Sequence, residues 1–527
     1  MKERIIILGA GVMQGPAIRI AGELGFYTIV VDGNPAAPHA SMADRFEHID
    51  LKDKEGVEAL ARSLQNHGGL GGIMTAGTDF SATVAWVAER LGLPGIPYEA
   101  ALNASDKARM RSCFNKAGIP SPEFFTISKD ELPTEAFYRF PMVVKPVDNM
   151  GGRGCRRVDT MEEFREAAAD ALLFSRSGRA IAEAFMDGPE FSVDAIVCHG
   201  EITVCGFADR HIFFPPYFIE MGHTMPSNIP PEQQAALLET FCAGVRALGL
   251  AGPESVGAAK GDIKLAPQGP MIGEIAARLS GGYMSGWTYP YSSGVEPIRA
   301  AILAAMGRKP ERLTPVKTWT SAERAFISIP GTVQAITGTE TARKLPHVRD
   351  LFFRISAGDK VDFPRNNVSK CGNIISAAPD RAAAAEAAEN AARSILIRLD
   401  PADPETAEFL GIGLSSRFPP PAFSLDRQLE EALSRLPETL APKNNPAPIS
   451  VLSFPAFAAS GLKDHMGRTV AESLQAVREL TGLLLPEITA ENIKSSDNKG
   501  SFLGRSFWAA FVRGGYQGAA YYIDRLI

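Results

Sequence analysis

Between Gly261 and Arg278 the chain reads Gly-Asp-Ile-Lys-Leu-Ala-Pro-Gln-Gly-Pro-Met-Ile-Gly-Glu-Ile-Ala-Ala-Arg. Two apolar-flanked segments each carry one carboxylate, Asp262 and Glu274, with a Gly/Pro turn between them. This pattern predicts a β-hairpin that holds two acidic side chains side by side. Paired carboxylates repel one another unless a cation or a proton sits between them. Mg²⁺ is commonly bound through one or two carboxylates together with substrate phosphates. The hairpin therefore points to a metal–nucleotide site, with Arg278 placed to meet negative charge. Two solvated hairpin carboxylates are the plain alternative.

The rest of the chain sets the context. With 527 residues it is too long for one core and predicts about three or four domains. A hydrophobic content of 45% and a charged content of 22% are those of an ordinary globular protein. The net charge of −6 gives no electrostatic case for nucleic acid. No apolar run reaches the roughly 20 residues needed to span a bilayer, and the start passes at once into a strand-and-glycine pattern. The expectation is a cytoplasmic protein with neither membrane nor nucleic-acid partners. The six scattered cysteines show no metal spacing and are expected to be reduced and structural.

Residues 1 to about 102 alternate strand and helix patterns: Arg4–Leu8, a helix around Ala17–Leu24, Tyr27–Val31 and Ile73–Gly77. This predicts a βαβ domain on a parallel sheet. The loop Gly9-Ala-Gly11-Val-Met-Gln14-Gly15 lacks glycine at the sixth position of a dinucleotide fingerprint, so a tight helix-packing turn is favoured over NAD binding. Further on come a Lys- and Arg-rich helix opened by Ser105-Asp-Lys107, and a strand carrying Lys145. A glycine-rich turn spans 149–154, and a strand, turn and strand span 181–197. A helix over 230–249 leads to the carboxylate hairpin. Residues 320 to about 400 read as β-rich and close with an alanine-rich helix near Arg381–Arg398. A proline-rich stretch from Phe418 to Pro448 marks a linker or surface crossing. Beyond it lie a helix over Thr469–Leu484 and an aromatic tail (Phe507, Trp508, Phe511, Tyr516, Tyr521, Tyr522), read as core or as an interaction surface.

A strand lysine followed by Gly151, Gly152, Arg153 and Gly154 suits phosphate. Glycine lets backbone N–H groups approach anionic oxygens, and lysine adds a movable charge. A hairpin turn with a snorkelling lysine is the alternative. Glu183 and Glu190, separated by Asp187-Gly-Pro, either flank a nucleotide or are exposed turn carboxylates.

Taken in order, Ser-Asp-Lys107, Val-Val-Lys145-Pro, Gly-Gly-Arg-Gly154, Glu183-Ala-Phe-Met-Asp-Gly-Pro-Glu190, Gly-Asp262-Ile-Lys and Gly-Glu274-Ile-Ala-Ala-Arg278 resemble the ATP-grasp superfamily. The likeness is to carboxylate–amine ligases of the L-amino-acid ligase and glycinamide-ribonucleotide-synthetase type, and it covers about residues 1–400. It implies an α/β and α+β multidomain fold. A parallel pre-ATP-grasp domain would span 1–102. A small ATP-grasp lobe (103–180) and a large one (181–310) would follow, then a β-rich lobe (311–405) and an extension (406–527) of helical and aromatic character. Lys107 and Lys145 would contact ATP phosphates, and the 149–154 loop would close over them. Glu183, beside hinge backbone at Ala184 and Phe185, would lie at the adenine edge, and Glu190 would bind ribose. Asp262 and Glu274 would hold Mg²⁺, or Mn²⁺ in its place, and Arg278 would stabilise the transferred phosphoryl group.

Two departures stand out. Ala276 occupies a position where the family usually has a metal-binding Asn, and Asp262 is one methylene shorter than the common Glu. The segment Phe218–Ser227 resembles an amino-acid-ligase stretch near the acceptor pocket, making Glu220, His223 and Ser227 substrate candidates. His223 reads equally as an acid/base group or a structural histidine. The implied reaction joins a small carboxylate and an amine through an acyl phosphate, using ATP and Mg²⁺, and the assembly expectation is a homodimer. The alternatives are a nucleotide-binding sensor or assembly subunit without turnover, and a bicarbonate-using relative.

Overall fold

A computed structural model describes residues 2–129, 138–411, 427–436, 450–451, 461–482 and 502–526. The chain divides into two compact units. The first comprises Met1–Phe213, Glu220–Glu323 and Ile375–Ala385; the second comprises Phe214–Ile219, Arg324–Ile374 and Glu386–Ile527.

The first unit begins with the expected βαβ pattern. Strands β1 (Arg4–Leu8), β2 (Tyr27–Asp32), β3 (Arg45–His48) and β4 (Gly72–Thr75) form a parallel sheet in the order β3-β2-β1-β4. Helices α1 (Gly15–Glu23), α2 (Lys54–Asn66) and α3 (Ser81–Leu91) accompany them. Ile5, Ile6, Ile7 and Leu8 are all buried, as expected of a parallel strand covered on both faces. Helix α1 starts two residues before the expected Ala17 because Pro16 fits its first turn, where a missing N–H leaves no bond unmade. The glycine loop before it is filled by its own side chain. Gln14 Oε1 accepts the Gly11 N–H at 3.1 Å, and its Nε2 donates to the Ala76 carbonyl. Gly9 has φ 98°, and a Cβ there would come 3.0 Å from the Gln14 side chain. The loop is therefore a packing turn, not a cradle for pyrophosphate.

Helices α4 (Tyr98–Ser105) and α5 (Lys107–Ala117) lead to a second sheet of β5 (Phe124–Ser128), β6 (Met142–Pro146), β7 (Arg156–Val158) and β8 (Arg179–Ala184). Its order is β5-β8-β6-β7, all antiparallel, and α6 (Met161–Phe174) backs it. Val144 and Ala182 join Ile127 and Phe164 in one apolar cluster. Strand alternation then turns Lys145 and Glu183 to the opposite face.

Five further strands lie in the order β13-β12-β9-β10-β11: β9 (Glu190–Cys198), β10 (Glu201–Phe213), β11 (Ile219–Met225), β12 (Val256–Ala266) and β13 (Gly269–Ala276). Helix α7 (Pro231–Ala247) covers this sheet, with Phe241, Ile263, Ile272 and Ile275 in one core. The helix sits so close that a Cβ at Gly261 would meet the Phe241 ring at 2.6 Å. Only glycine allows that approach next to Asp262.

In the second unit, Gly331–Thr337 pairs with Lys360–Val361 on one side and Leu396–Leu399 on the other. The helix Val470–Thr481 opens on a capping box between Thr469 and Glu472. The helix Arg505–Leu526 is kinked at Gly515, φ 57°. Phe507, Trp508, Phe511 and Tyr516 pack with Leu396, Leu474 and Val477, so the aromatic tail is core in this unit. Tyr521 is buried and Tyr522 partly so. Apart from residues 427–436, the proline-rich stretch lies outside the described residues. All six cysteines are unpaired. Among the described residues no helix is long and apolar enough to cross a membrane.

Truncating this aromatic core should be costly. Trp508→Ala is expected to lower stability by about 3–5 kcal/mol, read as a shifted denaturant midpoint of the full chain.

Candidate active site

The hairpin is formed by β12 and β13, and it puts Asp262 directly opposite Glu274. A β-bulge follows: Ile263 pairs with Ile272, which leaves Gly273 as the extra residue. A Cβ at Gly273 would come 3.0 Å from the Asp262 carbonyl oxygen, so a larger residue in the bulge would press on that backbone.

Each carboxylate is surrounded by cations. Asp262 accepts from Ser192 Oγ at 3.0 Å, pairs with Lys260, and lies 3.1 Å from Arg210 Nη1. Glu274 Oε1 lies 3.3 Å from Lys107 Nζ. Burial alone would raise the Glu274 carboxyl. Lys107, Lys260, Lys145 and Arg278 outweigh that and hold it well below the usual carboxylate range. Lys107 is the first residue of α5, whose N-terminus Asp106 caps by accepting the Ala108 and Arg109 N–H groups. Its ammonium also donates to the Asn149 carbonyl at 2.9 Å. Burial opposes its charge, but Glu274, Asp79 and Glu183 together raise its pKa.

A second group of charges joins a buried Arg111 and Glu183 to a partly buried Lys145. Lys145 Nζ is 2.7 Å from Glu183 Oε2, and Arg111 Nε is 2.9 Å from Glu183 Oε1. Arg111 has no exposed surface, and its Nη2 donates to the Gly273 carbonyl at 2.5 Å. It thus ties β8 to the bulge of the metal-candidate hairpin. Both oxygens of Glu183 are engaged. Against the burial that would raise its pKa, Arg111 and Lys145 hold it low.

The glycine turn has the backbone its sequence demands. Gly151, Gly152 and Gly154 have φ of 70°, 73° and 65°. Arg153 folds back on the loop, donating to Asn149 Oδ1 and the Met150 carbonyl. Next to it, burial pushes the Cys155 thiol up to about 11, which removes it as a nucleophile. The N–H groups of Ala184 and Phe185 donate to the Glu123 and Pro141 carbonyls, so these two donors are already committed. Glu190 pairs with Arg210 and lies 3.4 Å from Lys264.

Arg210 joins three carboxylates, Glu190, Asp262 and Glu220, the last at 2.6 Å. From Glu220 the chain of charge continues to His223 Nε2 at 3.6 Å. The buried Glu323 meets His223 Nδ1 at 3.0 Å. Ser227 belongs to a different cluster: its hydroxyl donates to Asp209, which Arg381 also binds. Arg278 donates to the Leu279 carbonyl, and its buried Nε has no partner among the described residues. The segment after it is pinned by Asp194, a fully buried carboxylate that accepts both the N–H and hydroxyl of Ser280. Gly77 adds an N–H to the Leu279 carbonyl.

The residues that sequence reasoning missed divide by signal. Lys260 precedes Asp262 by two positions on one strand face, and Arg111 follows Lys107 by four on one helix face, so both were legible in principle. Arg210, Asp194 and Glu323 reach the site from distant strands with no local signal. As a metal site, the donor set is two hard carboxylate oxygens. No group of three or more His, Cys, Asp or Glu able to hold a metal exists among the described residues. That set suits Mg²⁺ drawing its remaining oxygens from phosphates and water. Ala276 is buried and can add none.

Three segments of the chain match known family models. Residues 18–95 match the ATP-grasp N-terminal domain, 138–282 the ATP-grasp domain, and 325–400 the L-amino acid ligase C-terminal domain 2. An uncharacterized protein of Sinorhizobium fredii is 25% identical over 71% of this chain and 78% of its own length. Carnosine synthase 1 of Gallus gallus is 26% identical over 58% of this chain, and the match spans 35% of that protein. In fold, the chain is similar to the L-amino acid ligase of Bacillus licheniformis (TM-score 0.65, 22% identity, 76% of this chain and 99% of that one). It is also similar to phosphoribosylglycinamide synthetase of Anaerococcus prevotii (TM-score 0.60, 20% identity, 76% and 100%).

The Arg111–Glu183–Lys145 group makes a pH-dependent prediction. Glu183→Gln should destabilise the protein by about 3–5 kcal/mol at neutral pH, because two cations lose their partner. A carboxyl held low contributes its stability above the normal carboxylate pKa and loses it as pH falls through the lowered one. The gap between wild type and variant should therefore narrow on acidification, in denaturation curves taken from pH 7 downward.

Proposed function

The chain belongs to the ATP-grasp superfamily, and we propose that it is an ATP-dependent ligase joining a small carboxylate, an amino acid or a close relative, to an amine. The observation that carries this reading is the opposition of Asp262 and Glu274 across the hairpin, with Lys107 on Glu274 and Lys145 one buried pair away. A nucleotide's phosphates would take over Lys107 and Lys145 beneath the 149–154 loop, with Gly151, Gly152 and Arg153 offering further donors. Glu190 is the ribose candidate. Glu183 acts first as the carboxylate that orients Lys145, at the adenine edge beside Ala184 and Phe185.

Asp262 and Glu274 would hold Mg²⁺, whose contribution is to neutralise phosphate charge. The carboxylate oxygen of the first substrate attacks the γ-phosphorus, the bond to ADP breaks, and an acyl phosphate forms. The amine nitrogen then attacks the acyl carbon and phosphate leaves. The protein's part is positioning and charge neutralisation, since the phosphoryl transition state spreads negative charge over its oxygens. Arg278, held in place by the Asp194-bound segment after it, is the guanidinium for those oxygens. His223, with its ring fixed at Nδ1 by Glu323, presents Nε2 beside Glu220 as the group to receive the amine's proton. Ser227 bears on this region only through Asp209.

A second reading, a nucleotide-binding subunit without turnover, rests on Ala276. ADP release across a panel of amino acids and amines separates the two: turnover with any pair supports the ligase, and Mg–ATP binding without turnover supports the subunit.

Two variants test the assignments within the ligase reading. Arg278→Ala is expected to lower product formation by about 10²-fold or more while ATP still binds; retained turnover in a coupled ADP assay removes the role. Glu274→Gln should weaken Mg–ATP binding in calorimetry, and unchanged affinity would overturn the metal assignment.

A further inference from the structure

The second unit contains a cavity of about 650 Å³, within the range of small-ligand sites, on the order of 300–1,000 Å³. Phe363 and Phe409 line it and stack on each other, with ring centroids 6.1 Å apart and planes within 15°. Its wall carries both signs of charge. Arg354, Lys360, Arg365 and the buried Lys370 are basic, and Lys360 lies 3.2 Å from Glu405. Asp362 is acidic, as are Glu405 and Glu408, three residues apart on the helix Pro404–Gly411.

Beneath the Phe409 ring lies a cation with no counterion among the described residues. Arg513 has no exposed surface. Its guanidinium sits 5.0 Å from the Phe409 ring centroid and its Nε donates to the Phe409 carbonyl, but Nη1 and Nη2 have no hydrogen-bond partner among the described residues. Desolvation lowers its pKa, the sign of a charge without a counterion. The buried His465 ring, 6.0 Å from Phe363, likewise has both nitrogens without a partner among the described residues. A negative group held near Phe409 would relieve the Arg513 charge.

We propose that this cavity binds a small zwitterion of the α-amino-acid class with an apolar side chain. The carboxylate would meet Lys370 and Arg365, in the positive field of Arg513. The ammonium would meet Glu408 and take the place of Lys360 at Glu405, and the side chain would lie on the Phe363–Phe409 stack, where an aromatic group gains most. All the residues concerned belong to the second unit, and none is a residue of the Mg–ATP hairpin. The inference therefore stands apart from the proposed ligase reaction.

Hydrogen–deuterium exchange on the full chain, without ATP or Mg²⁺, locates the site. L-Phenylalanine is expected to protect 360–370 and 404–409. 3-Phenylpropionate lacks the ammonium and phenethylamine lacks the carboxylate, and each should need about tenfold more ligand or beyond for the same protection. Lys370→Met should abolish the effect. The exposed Glu408→Gln, a change that leaves the core intact, should weaken it for phenylalanine but not for phenylpropionate. No protection of these segments, or equal protection by phenylpropionate, overturns the proposal.

Discussion

Burying the Arg111 guanidinium completely calls for a carboxylate beside it, and Glu183 supplies one. Much of the candidate site follows from that one requirement. Glu183 has a second oxygen, and Lys145 takes it. Arg111 has a second nitrogen, and the carbonyl of Gly273 takes that. The sheet that carries Lys145 is thereby fastened to the bulge beside Glu274. Burial makes the arrangement demanding, because removing any member leaves a charge in a poorly solvated place.

Around this triad the charges alternate. Lys107 faces Glu274, Lys260 and Arg210 face Asp262, and Arg210 extends the series to Glu220 and then His223. The hairpin and the candidate acceptor segment are therefore parts of one electrostatic network. A change in protonation or ligation at Asp262 is felt at Glu220 through a single guanidinium.

Some of this was legible in the sequence, for a physical reason. The hairpin, the Asp106-capped start of α5 and the positive-φ glycines of 151–154 are local: turn chemistry, capping and strand alternation act over a few residues and leave a readable pattern. The parallel N-terminal sheet was legible in the same way. Arg210, Asp194 and Glu323 were not, because their partners come from strands tens of residues away and no periodicity announces such a meeting. The aromatic tail was half legible. Its apolar content called for burial, but which helix and strand would bury Trp508 depends on packing that composition does not encode.

The carboxylates and lysines of the hairpin region already satisfy one another, and this has a thermodynamic consequence. Loading the proposed site would be an exchange of counterions. Phosphates replace Glu274 as the partner of Lys107, and a divalent cation replaces Lys107 as the partner of Glu274. Attractions gained are offset by attractions given up, so affinity would come from the small difference between two well-matched sets of pairs. Such a site keeps its shape while it waits. It would discriminate by how well a ligand's charges reproduce the spacing of the pairs it displaces, more than by how much charge the ligand carries.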